Sequence, residues 1–525
     1  MNTTHDRLAN SHTPDLELGV ADLIAALSNP NAYPQDPTST IEQLDTHISL
    51  VFLTDNFAYK VKKCLRNSFL DYSSLEQRRH YCFEELRLDR RYAPDLYLDV
   101  VPIAYDGQTV QVEGAGPVIE YAVKMRRFDG QQLLNACLQR DTVSDADIQA
   151  LATTLATFHT TAQQAGVNVP YGTPASIYQD AIDNFDALEE APVSLGLSER
   201  LGELRQWTER EYLGLAPVLA QRKTLGAIRE CHGDLHTGNL VRWRQHWTPF
   251  DGIEFNERFR FIDVMSDAGF LGMDLIAKHH SRLSNLFINC YLEETGDYAA
   301  LQVLRWYMVY RALVRAKVAL MRFMQAGSDV ELATVTSAEL KHLLATAQRI
   351  ARNRTRRLWI THGPSGSGKS TGALRWVQDV GAIRIRSDVE RKRLLGQQAT
   401  YRPLDSQLSQ VYSTEMTHDV YRRLADLASS VLKAGYSPIV DATFLEKKHR
   451  DAFVELAAAH AVEMQILDFQ APESVLRARI ESRIAIGTDA SDAGLTVLEH
   501  QLKSAEPLCE QELAIAVSVS AGLCL

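Results

Sequence analysis

The chain of 525 residues is 45% apolar and carries a net charge of −11. This length exceeds what a single hydrophobic core usually serves, so the sequence predicts at least two domains. The negative charge argues against wholesale binding to nucleic acid or to an anionic membrane, and it favours small-molecule partners. The seven cysteines are scattered and include no Cys-x-x-Cys pair, which excludes a zinc framework and is typical of a reducing compartment.

The first residues, 1–15, are polar and lack the order of a secretory signal, and no uncharged apolar run reaches membrane-spanning length. We therefore expect a cytoplasmic protein that has no membrane partner. The oligomeric state is left open by the sequence.

Two strands are predicted at 48–53 and 57–63, joined by a tight turn, and they place Lys60 and Lys62 on one face. A charged helix follows at 74–91 and carries Glu84 and Glu85. A strand lysine held by a helix glutamate positions the α- and β-phosphates of ATP in kinases. The sequence does not decide which lysine and which glutamate form that pair, and solvated charged surfaces are the alternative interpretation.

The segment His232-Gly-Asp-Leu-His-Thr-Gly-Asn239 has the spacing of a kinase catalytic loop. In such a loop Asp234 reaches the acceptor hydroxyl, and Asn239 turns back to the metal that bridges the phosphates. A second metal aspartate should follow on the next strand, and Asp251 and Asp263 are both candidates. Further carboxylates at Glu254, Asp267 and Asp274 indicate either an acidic pocket for a cationic acceptor or, with more weight, internal ion pairs.

Residues 41–320 resemble the aminoglycoside phosphotransferase-like family, whose relatives include choline, fructosamine and protein kinases. The resemblance implies that Asp234 is the catalytic base or orienting group, and that Asn239 with Asp251 or Asp263 binds Mg²⁺. Two departures exist, because no glycine-rich loop precedes Lys60 and the family's Ile-Asp-aromatic pattern is met only in part by Ile262-Asp263.

A basic stretch at 349–357 precedes a predicted strand at 357–362, the motif Gly-x-x-x-x-Gly-Lys-Ser at 363–370, and a helix at 371–380. This order of strand, loop and helix is that of a P-loop, in which glycine N–H groups surround the phosphates, a lysine neutralises the β- and γ-oxygens, and a serine hydroxyl binds Mg²⁺. The predicted nucleotide-binding residues are Gly363, Ser365, Gly366, Ser367, Gly368, Lys369, Ser370 and Thr371, with Ser370 as the metal ligand.

Two aspartates after the P-loop follow predicted strands, where ligands gather in an open α/β sheet. Asp388 is predicted to face the acceptor hydroxyl, with Arg391 near its anionic group, and Asp441 to support the Mg²⁺ shell. Arg479 and Arg483 share a helix face and could close over the transferring phosphates, although a solvated basic helix is nearly as good an interpretation.

The C-terminal half resembles small P-loop kinases of the gluconate kinase, chloramphenicol phosphotransferase, zeta-toxin and polynucleotide kinase type. No features of a ring-forming ATPase are evident. The predicted fold is an α+β bilobal kinase-like domain at 1–348, with a small lobe near 41–125 and a large lobe near 130–348. A linker at 349–356 leads to an α/β P-loop domain with a parallel sheet at 357–525.

The leading hypothesis is a protein with two ATP- and Mg²⁺-dependent kinase sites, each acting on a hydroxyl of a small polar metabolite such as a sugar or sugar derivative. Catalysis would consist mainly of positioning and charge neutralisation. One alternative makes the P-loop half a nucleotide-binding regulator of an N-terminal kinase. Another makes it a nucleic-acid end kinase, which the acidic whole disfavours. The acceptor, the choice between ATP and GTP, and whether both sites share one substrate are not encoded in these motifs.

Overall fold

The computed structural model describes residues 19–67, 70–166, 168–352, 355–397, 401, 413–486 and 491–519. The chain folds into two compact units. The first unit comprises Met1–Leu133 and Asn239–Arg260, and the second comprises Leu134–Gly238 and Phe261–Leu525. Within the described residues, no helix has both the length and the apolar composition that a bilayer crossing requires.

The first unit is built on a six-stranded antiparallel sheet. The predicted hairpin is confirmed, because Ser49–Leu53 and Phe57–Lys62 pair antiparallel around a turn whose ends Thr54 closes with its hydroxyl. Alternating side chains such as Phe52, Tyr59 and Val61 fill the core beneath this sheet. In spatial order the strands are Glu42–Asp45, Ser49–Leu53, Phe57–Lys62, Val118–Arg126, Tyr97–Tyr105 and Val110–Val112.

A helix at Leu75–Asp89 packs on this sheet and begins at a capping box formed by Ser74 and Gln77. It buries Glu85 completely, although burying a carboxylate costs free energy unless a cation compensates it. The remaining elements of the first unit are the helices Val20–Leu27 and Glu257–Arg260 and the two-stranded sheet of Leu240–Trp243 and His246–Pro249.

The N-terminal part of the second unit is helical. Its central helix, Val264–Ala277, is buried at every residue, and Ser281–Thr295 and Leu301–Gln325 pack directly against it. A short antiparallel pair, Ile228–Glu230 with Phe261–Asp263, precedes that helix. The other helices of this part are Leu134–Gln139, Asp145–Thr161, Pro174–Glu189, Ser198–Thr224 and Val330–Ala351.

The C-terminal part of the second unit is a five-stranded parallel sheet flanked by helices. Its spatial order is Ile383–Arg386, Pro438–Asp441, Arg357–His362, Glu463–Phe469 and Ala516–Val519. Strand residues Trp359, Ile439 and Leu467 pack against Ala373 and Val377 of the first helix. The helices are Lys369–Val380, Ser387–Leu394, Thr414–Lys433, Lys447–Ala459, Glu473–Ile486, Leu495–Ser504 and Glu510–Leu513.

The edge strand of this sheet, Ile383–Arg386, is covered by the helical part of the same unit. Asn289 Oδ1 accepts a hydrogen bond from the N–H of Arg384 at 2.7 Å, and the Tyr298 hydroxyl donates to the carbonyl of Arg384 at 3.2 Å. The backbone N–H and C=O of Arg384 thus both have a hydrogen-bond partner, although no described strand pairs with this edge of the sheet.

The predicted fold class is confirmed: an antiparallel kinase-like lobe is followed by helices, and a parallel sheet forms the C-terminal half. The proposed domain limits stay a prediction. Near the predicted linker, a helix runs through Val330–Ala351 and the first parallel strand begins at Arg357.

Candidate active sites

In the first unit, Glu85 lies between two strand lysines. Lys60 Nζ is 2.8 Å from Glu85 Oε1, and Lys62 Nζ is 2.7 Å from Glu85 Oε2. Burial alone would raise the pKa of Glu85, but the two ammonium groups outweigh it and lower that pKa to about 2. The lysine–glutamate arrangement expected from the sequence is present, with Glu85 shared by both lysines; Glu84 instead pairs with Arg87.

The two lysines differ in their second partners. Lys62 also binds Glu254, which in turn accepts from the Tyr72 hydroxyl, and the Lys62 side chain is completely buried. Lys60 instead binds Asp251. Burial would lower the pKa of Lys60, but Asp251 and Glu85 outweigh it and raise that pKa well above its ordinary value. Glu254 thus serves an internal ion pair, as the preferred interpretation of the sequence held.

Asp251 is the accessible member of this network, because its side chain is 44% exposed while those of Lys60 and Glu85 are 9% and 0% exposed. Its backbone has a positive φ of 63°, a conformation that is uncommon for a residue with a side chain. The turn is held by the Asp251 N–H, which donates to the Tyr97 hydroxyl at 2.9 Å, and by the Gly252 N–H, which donates to Asp89. Asn239, at the start of the same segment, has its carbonyl bound by the Phe250 N–H at 3.1 Å.

Asp263, the other candidate metal aspartate, lies in the second unit and is occupied by protein groups. Arg222 binds both of its carboxylate oxygens, and the Met265 N–H donates to Oδ1 at 2.9 Å. Asp263 is therefore the N-cap of helix Val264–Ala277 and the counter-ion of a buried arginine.

In the predicted catalytic loop, Asp234 has a side chain that is 37% exposed, and its Oδ2 lies 3.4 Å from His236 Nε2. Burial would raise the pKa of Asp234, but His236, Arg315 and His232 outweigh it and lower that pKa. The carboxylate is therefore charged at neutral pH, and an ionised carboxylate can only accept a hydrogen bond.

The backbone of this loop is held by two buried aspartates of the central helix. Asp267 accepts from the N–H groups of His232 and Gly233 at 3.1 and 3.0 Å. Asp274 accepts from the N–H and the hydroxyl of Thr237 at 2.9 and 2.6 Å. These carboxylates serve internal hydrogen bonds, where the preferred interpretation of the sequence was internal ion pairs, and they fix the loop that contains Asp234.

A further chain of contacts supports Asp267 from behind. His159 Nε2 lies 3.1 Å from Asp267 Oδ2, and His159 Nδ1 lies 2.8 Å from the Tyr291 hydroxyl. Tyr291 belongs to helix Ser281–Thr295. His159 is thus a buried group that holds Asp267 in position.

The P-loop has the backbone that its glycines permit. Gly363, Gly366 and Gly368 have backbone φ values of 134°, 82° and 95°. Residues that carry a side chain rarely adopt such values. A Cβ at Gly363 would lie 2.4 Å from the carbonyl oxygen of Phe469, and one at Gly366 would lie 2.7 Å from that of Leu476. Gly368 is the N-cap of helix Lys369–Val380, and the N–H groups at a helix N-terminus are suited to binding an anion.

Lys369 is nearly buried at the base of this loop, and its Nζ donates to the Pro364 carbonyl at 2.7 Å. Burial lowers the pKa of Lys369 to about 8, although Asp441 and Asp388 act in the opposite direction. The ammonium is therefore incompletely compensated by protein carboxylates. In P-loops the lysine ordinarily pairs with the negatively charged oxygens of phosphate groups.

One cavity of about 1030 Å³ brings the predicted P-loop site residues together. Gly363 and Ser367 belong to the loop backbone and are not among its lining residues. The predicted residues that line it are Ser365, Gly366, Gly368, Lys369, Ser370, Thr371, Asp388, Asp441, Arg479 and Arg483, and Arg391 lines it as well.

The group that Mg²⁺ would require is present in this cavity. Asp441 ends its strand, is 5% exposed, and within the described residues its Oδ2 has no hydrogen-bond donor. A buried carboxylate oxygen without a donor is costly unless a cation approaches it. With the Ser370 side chain lining the same cavity, the donor set fits a hard cation that takes oxygen ligands.

The two predicted lid arginines lie on helix Glu473–Ile486, with Arg479 Nη1 3.2 Å from the Gly366 carbonyl and Arg483 Nη2 2.7 Å from the Ala493 carbonyl. Arg479 therefore touches the P-loop itself. Their action on phosphates stays a prediction.

Sequence reasoning missed an aromatic pair in this cavity. The rings of Tyr421 and His449 are stacked, with centroids 3.7 Å apart and an interplanar angle of 7°, and both line the cavity. The Tyr421 hydroxyl accepts from the Phe444 N–H at 3.1 Å. No short motif marks this pair, because the two residues come from separate helices.

Comparisons with known proteins match the C-terminal part of the chain to a family model and most of the chain to a relative. Residues 358–508 match the family model of an AAA domain. An uncharacterized protein of Mycobacterium tuberculosis strain H37Rv is 28% identical over 470 residues, covering 88% of this chain and 90% of the relative.

Two solved structures are similar to parts of this chain. A choline/ethanolamine kinase family protein from Mesorhizobium loti is 12% identical, with a TM-score of 0.35, and covers 62% of this chain and 99% of its own. A sugar kinase from Janibacter sp. HTCC2649 is 22% identical, with a TM-score of 0.24, and covers 32% of this chain and 86% of its own. The family model confirms the resemblance of the C-terminal half to P-loop proteins, and the five-stranded parallel sheet of that half is the fold expected of such a domain.

Proposed function

We propose that the protein is a double ATP-dependent phosphotransferase, in which each half moves the γ-phosphoryl group of Mg·ATP to a hydroxyl of a small polar metabolite, a sugar or sugar derivative. For the P-loop half, the observation that carries this proposal is the cavity of about 1030 Å³ that is lined by P-loop residues, Asp388 and Asp441. Its volume is at the upper end of small-molecule sites, which leaves room for an acceptor beside a nucleotide. A regulator that only binds nucleotide would not need that space.

In the P-loop site, Lys369 and the loop N–H groups would bind the phosphates, and Ser370 and Asp441 would hold Mg²⁺, which supplies neutralisation of phosphate charge. Asp388 would accept a hydrogen bond from the acceptor hydroxyl while the hydroxyl oxygen forms its bond to the γ-phosphorus. The bond from phosphorus to the bridging oxygen breaks, ADP leaves, and the hydroxyl proton passes to the carboxylate or to water. Arg391 would bind an anionic group of the acceptor.

In the kinase-like half, we assign phosphate binding to Lys60, supported by Glu85, and Mg²⁺ binding to Asn239 and Asp251. Asp234 would orient the acceptor hydroxyl. Its lowered pKa makes it a weak base, which suits a reaction in which positioning and charge neutralisation contribute most of the rate. Asp251 is preferred over Asp263 because its carboxylate is accessible while that of Asp263 is bound by Arg222.

Calorimetry with a non-hydrolysable ATP analogue and Mg²⁺ tests the two sites directly. We expect two equivalents of nucleotide bound per chain, and one after Lys369→Ala. The matched control is Lys433→Ala, at an exposed position near the end of a helix. One equivalent in the unmodified protein would contradict the proposal.

The acceptors are found by mass spectrometry of a metabolite extract incubated with ATP and the intact protein. Lys369→Ala should remove the products of the P-loop site, and Asp234→Ala those of the kinase-like site. Asp186→Ala, an exposed aspartate paired with Arg205, is the control for Asp234→Ala. Loss of one common product in both variants would indicate consecutive steps on one substrate. If Lys369→Ala removes no product while nucleotide still binds the wild-type P-loop, the regulator alternative is favoured.

A further inference from the structure

Helix Ser281–Thr295, which belongs to the kinase-like half in sequence, supplies a carboxylate to the P-loop half. Glu293 Oε2 lies 2.9 Å from Arg384 Nη2, and Glu293 Oε1 lies 3.1 Å from Arg386 Nη1. All three side chains are at most 13% exposed. Burial would raise the pKa of Glu293, but the two guanidinium groups outweigh it and lower that pKa, so the carboxylate is charged.

Both arginines held by Glu293 reach the nucleotide site. Arg384 Nη1 donates to the carbonyl of Ser370 at 3.1 Å. Arg386 lines the cavity, and its backbone is in register with Asp441 on the neighbouring parallel strand. Glu293 therefore contacts two residues that surround Ser370 and Asp441, the two predicted Mg²⁺ ligands.

The position of Arg386 relative to Asp441 is the decisive distance. Arg386 Nε lies 3.8 Å from Asp441 Oδ2, which is too long for a hydrogen bond but close enough for the pair to close after a small rotation. Arginine and carboxylate form strong two-pronged pairs when nothing restrains them. At its present distance the guanidinium is held at Nη1 by Glu293, and Asp441 Oδ2 keeps no donor within the described residues.

We propose that Glu293 is a positioning residue for the P-loop site: it restrains Arg386 and so keeps the Asp441 carboxylate available to Mg²⁺. The inference rests on the proposed function of that site. Without the Glu293 charge, the nearby guanidinium would turn to Asp441 and compete with the cation for its oxygen. The kinase-like half would thus set the metal affinity of the P-loop half through one side chain.

Four proteins test this: the wild type, Glu293→Gln, Arg386→Gln, and the double variant, all as the full chain. Binding of a fluorescent ATP analogue is titrated at graded Mg²⁺, and the P-loop contribution is the part that Lys369→Ala removes. Glu294→Gln, at the exposed neighbouring position whose carboxylate accepts from Thr153, is the matched control. Nucleotide binding in EDTA and thermal unfolding are measured in parallel.

We expect Glu293→Gln to raise the half-saturating Mg²⁺ concentration about tenfold or more, as loss of an outer partner of a metal ligand does, with unchanged binding in EDTA. The double variant should return to the wild-type Mg²⁺ dependence, because the competing guanidinium is gone. A merely structural role would shift unfolding without such a rescue.

An unchanged Mg²⁺ dependence in Glu293→Gln, or a double variant as weak as that single variant, would overturn the proposal. If Glu293→Gln does not fold, Arg386→Gln alone decides: it must bind Mg²⁺ at least as well as the wild type, and weaker binding would mean that Arg386 itself serves the ligand. If Lys369→Ala removes no binding at all, the proposed function of the P-loop site fails, which is a separate result.

Discussion

Arg222 binds Asp263 through two parallel contacts, with Nε 2.6 Å from Oδ2 and Nη2 2.8 Å from Oδ1. Both side chains are buried, at 7% and 0% exposure. A carboxylate in this position has both oxygens bound by protein groups, whereas the carboxylate of Asp251 is exposed and pairs with Lys60. The two candidate metal aspartates therefore have different physical roles.

We accordingly expect Asp263→Asn to destabilise the fold and Asp251→Asn to impair catalysis. Asp263→Asn leaves the buried Arg222 with Asp297 as its remaining counter-charge, and loss of the two-pronged partner should cost about 3 kcal/mol of unfolding free energy. Asp251→Asn should leave stability nearly unchanged and abolish Mg²⁺-dependent turnover of the kinase-like site. Urea unfolding and turnover at saturating ATP measure the two effects. A stable Asp263→Asn protein with lost Mg²⁺ response would reverse the assignment.

The two strand lysines should separate in the same way. Lys62→Met leaves Glu85 and Glu254 short of positive charge in a fully buried position, so we expect a loss of about 3 kcal/mol or more in stability. Lys60→Met should instead weaken ATP binding at the kinase-like site, since Lys60 joins the network at its accessible end. Unfolding curves and nucleotide titrations distinguish the two. Equal loss of ATP affinity in both variants would contradict the assignment of Lys60.

Backbone geometry makes Gly363 irreplaceable in the P-loop. Gly363→Ala would place a methyl group 2.4 Å from the Phe469 carbonyl oxygen at a φ of 134°. We expect a loss on the order of 1–3 kcal/mol in stability, together with weaker nucleotide binding at this site. The control is Gly202→Ala, within helix Ser198–Thr224, where the added methyl meets nothing within 4 Å; it should gain up to about 1 kcal/mol. Full retention of nucleotide affinity in Gly363→Ala would argue against phosphate binding by this loop.

A buried ion pair should make the C-terminal half sensitive to acid. Burial would raise the pKa of Glu512, but hydrogen bonds from Arg450 and from the Cys509 N–H outweigh it and lower that pKa to about 2. Arg450, which is fully buried, also donates to the carbonyls of Phe444 and Leu445 in the loop after Asp441. The pair thereby anchors a loop beside the cavity.

Because the folded-state pKa of Glu512 is depressed, its stabilisation is fully present above the ordinary glutamate pKa of 4.5 and is lost as pH falls toward about 2. Glu512→Gln should therefore lower the unfolding free energy at neutral pH, and its difference from the wild type should shrink below about pH 4.5. Urea unfolding at several pH values measures this difference. Glu510→Gln, exposed on the same short helix, should show no such convergence, and a constant difference for Glu512→Gln would refute the assignment.

Local patterns predicted much of the fold. The hairpin that carries Lys60 and the order of strand, loop and helix around Lys369 depend on residues close in sequence, so alternation and glycine spacing were sufficient to predict them. The choice between Asp251 and Asp263 could not be made from spacing, because it depends on Arg222, which lies far from both in sequence. A counter-ion that tertiary packing brings to one carboxylate leaves no local signal.

The role of Glu293 was invisible for the same reason. Its arginine partners lie 91 and 93 positions further along the chain, across the predicted boundary between the two halves. The sequence shows an acidic residue on a helix, which is usually a solvated one. Only the folded arrangement shows that it contacts Arg384 and Arg386 of the C-terminal half.

The contacts of Asn289 and Tyr298 with the backbone of Arg384 determine how the C-terminal half would behave as an isolated fragment. A fragment that begins at the first parallel strand would lose both hydrogen-bond partners of Arg384 and expose its edge strand. Exposed edge strands favour pairing with strands of other molecules. Such a fragment would tend to aggregate. If it were inactive, the cause would be the loss of these contacts. The preceding helices thus cover the edge of this sheet and protect it from aggregation.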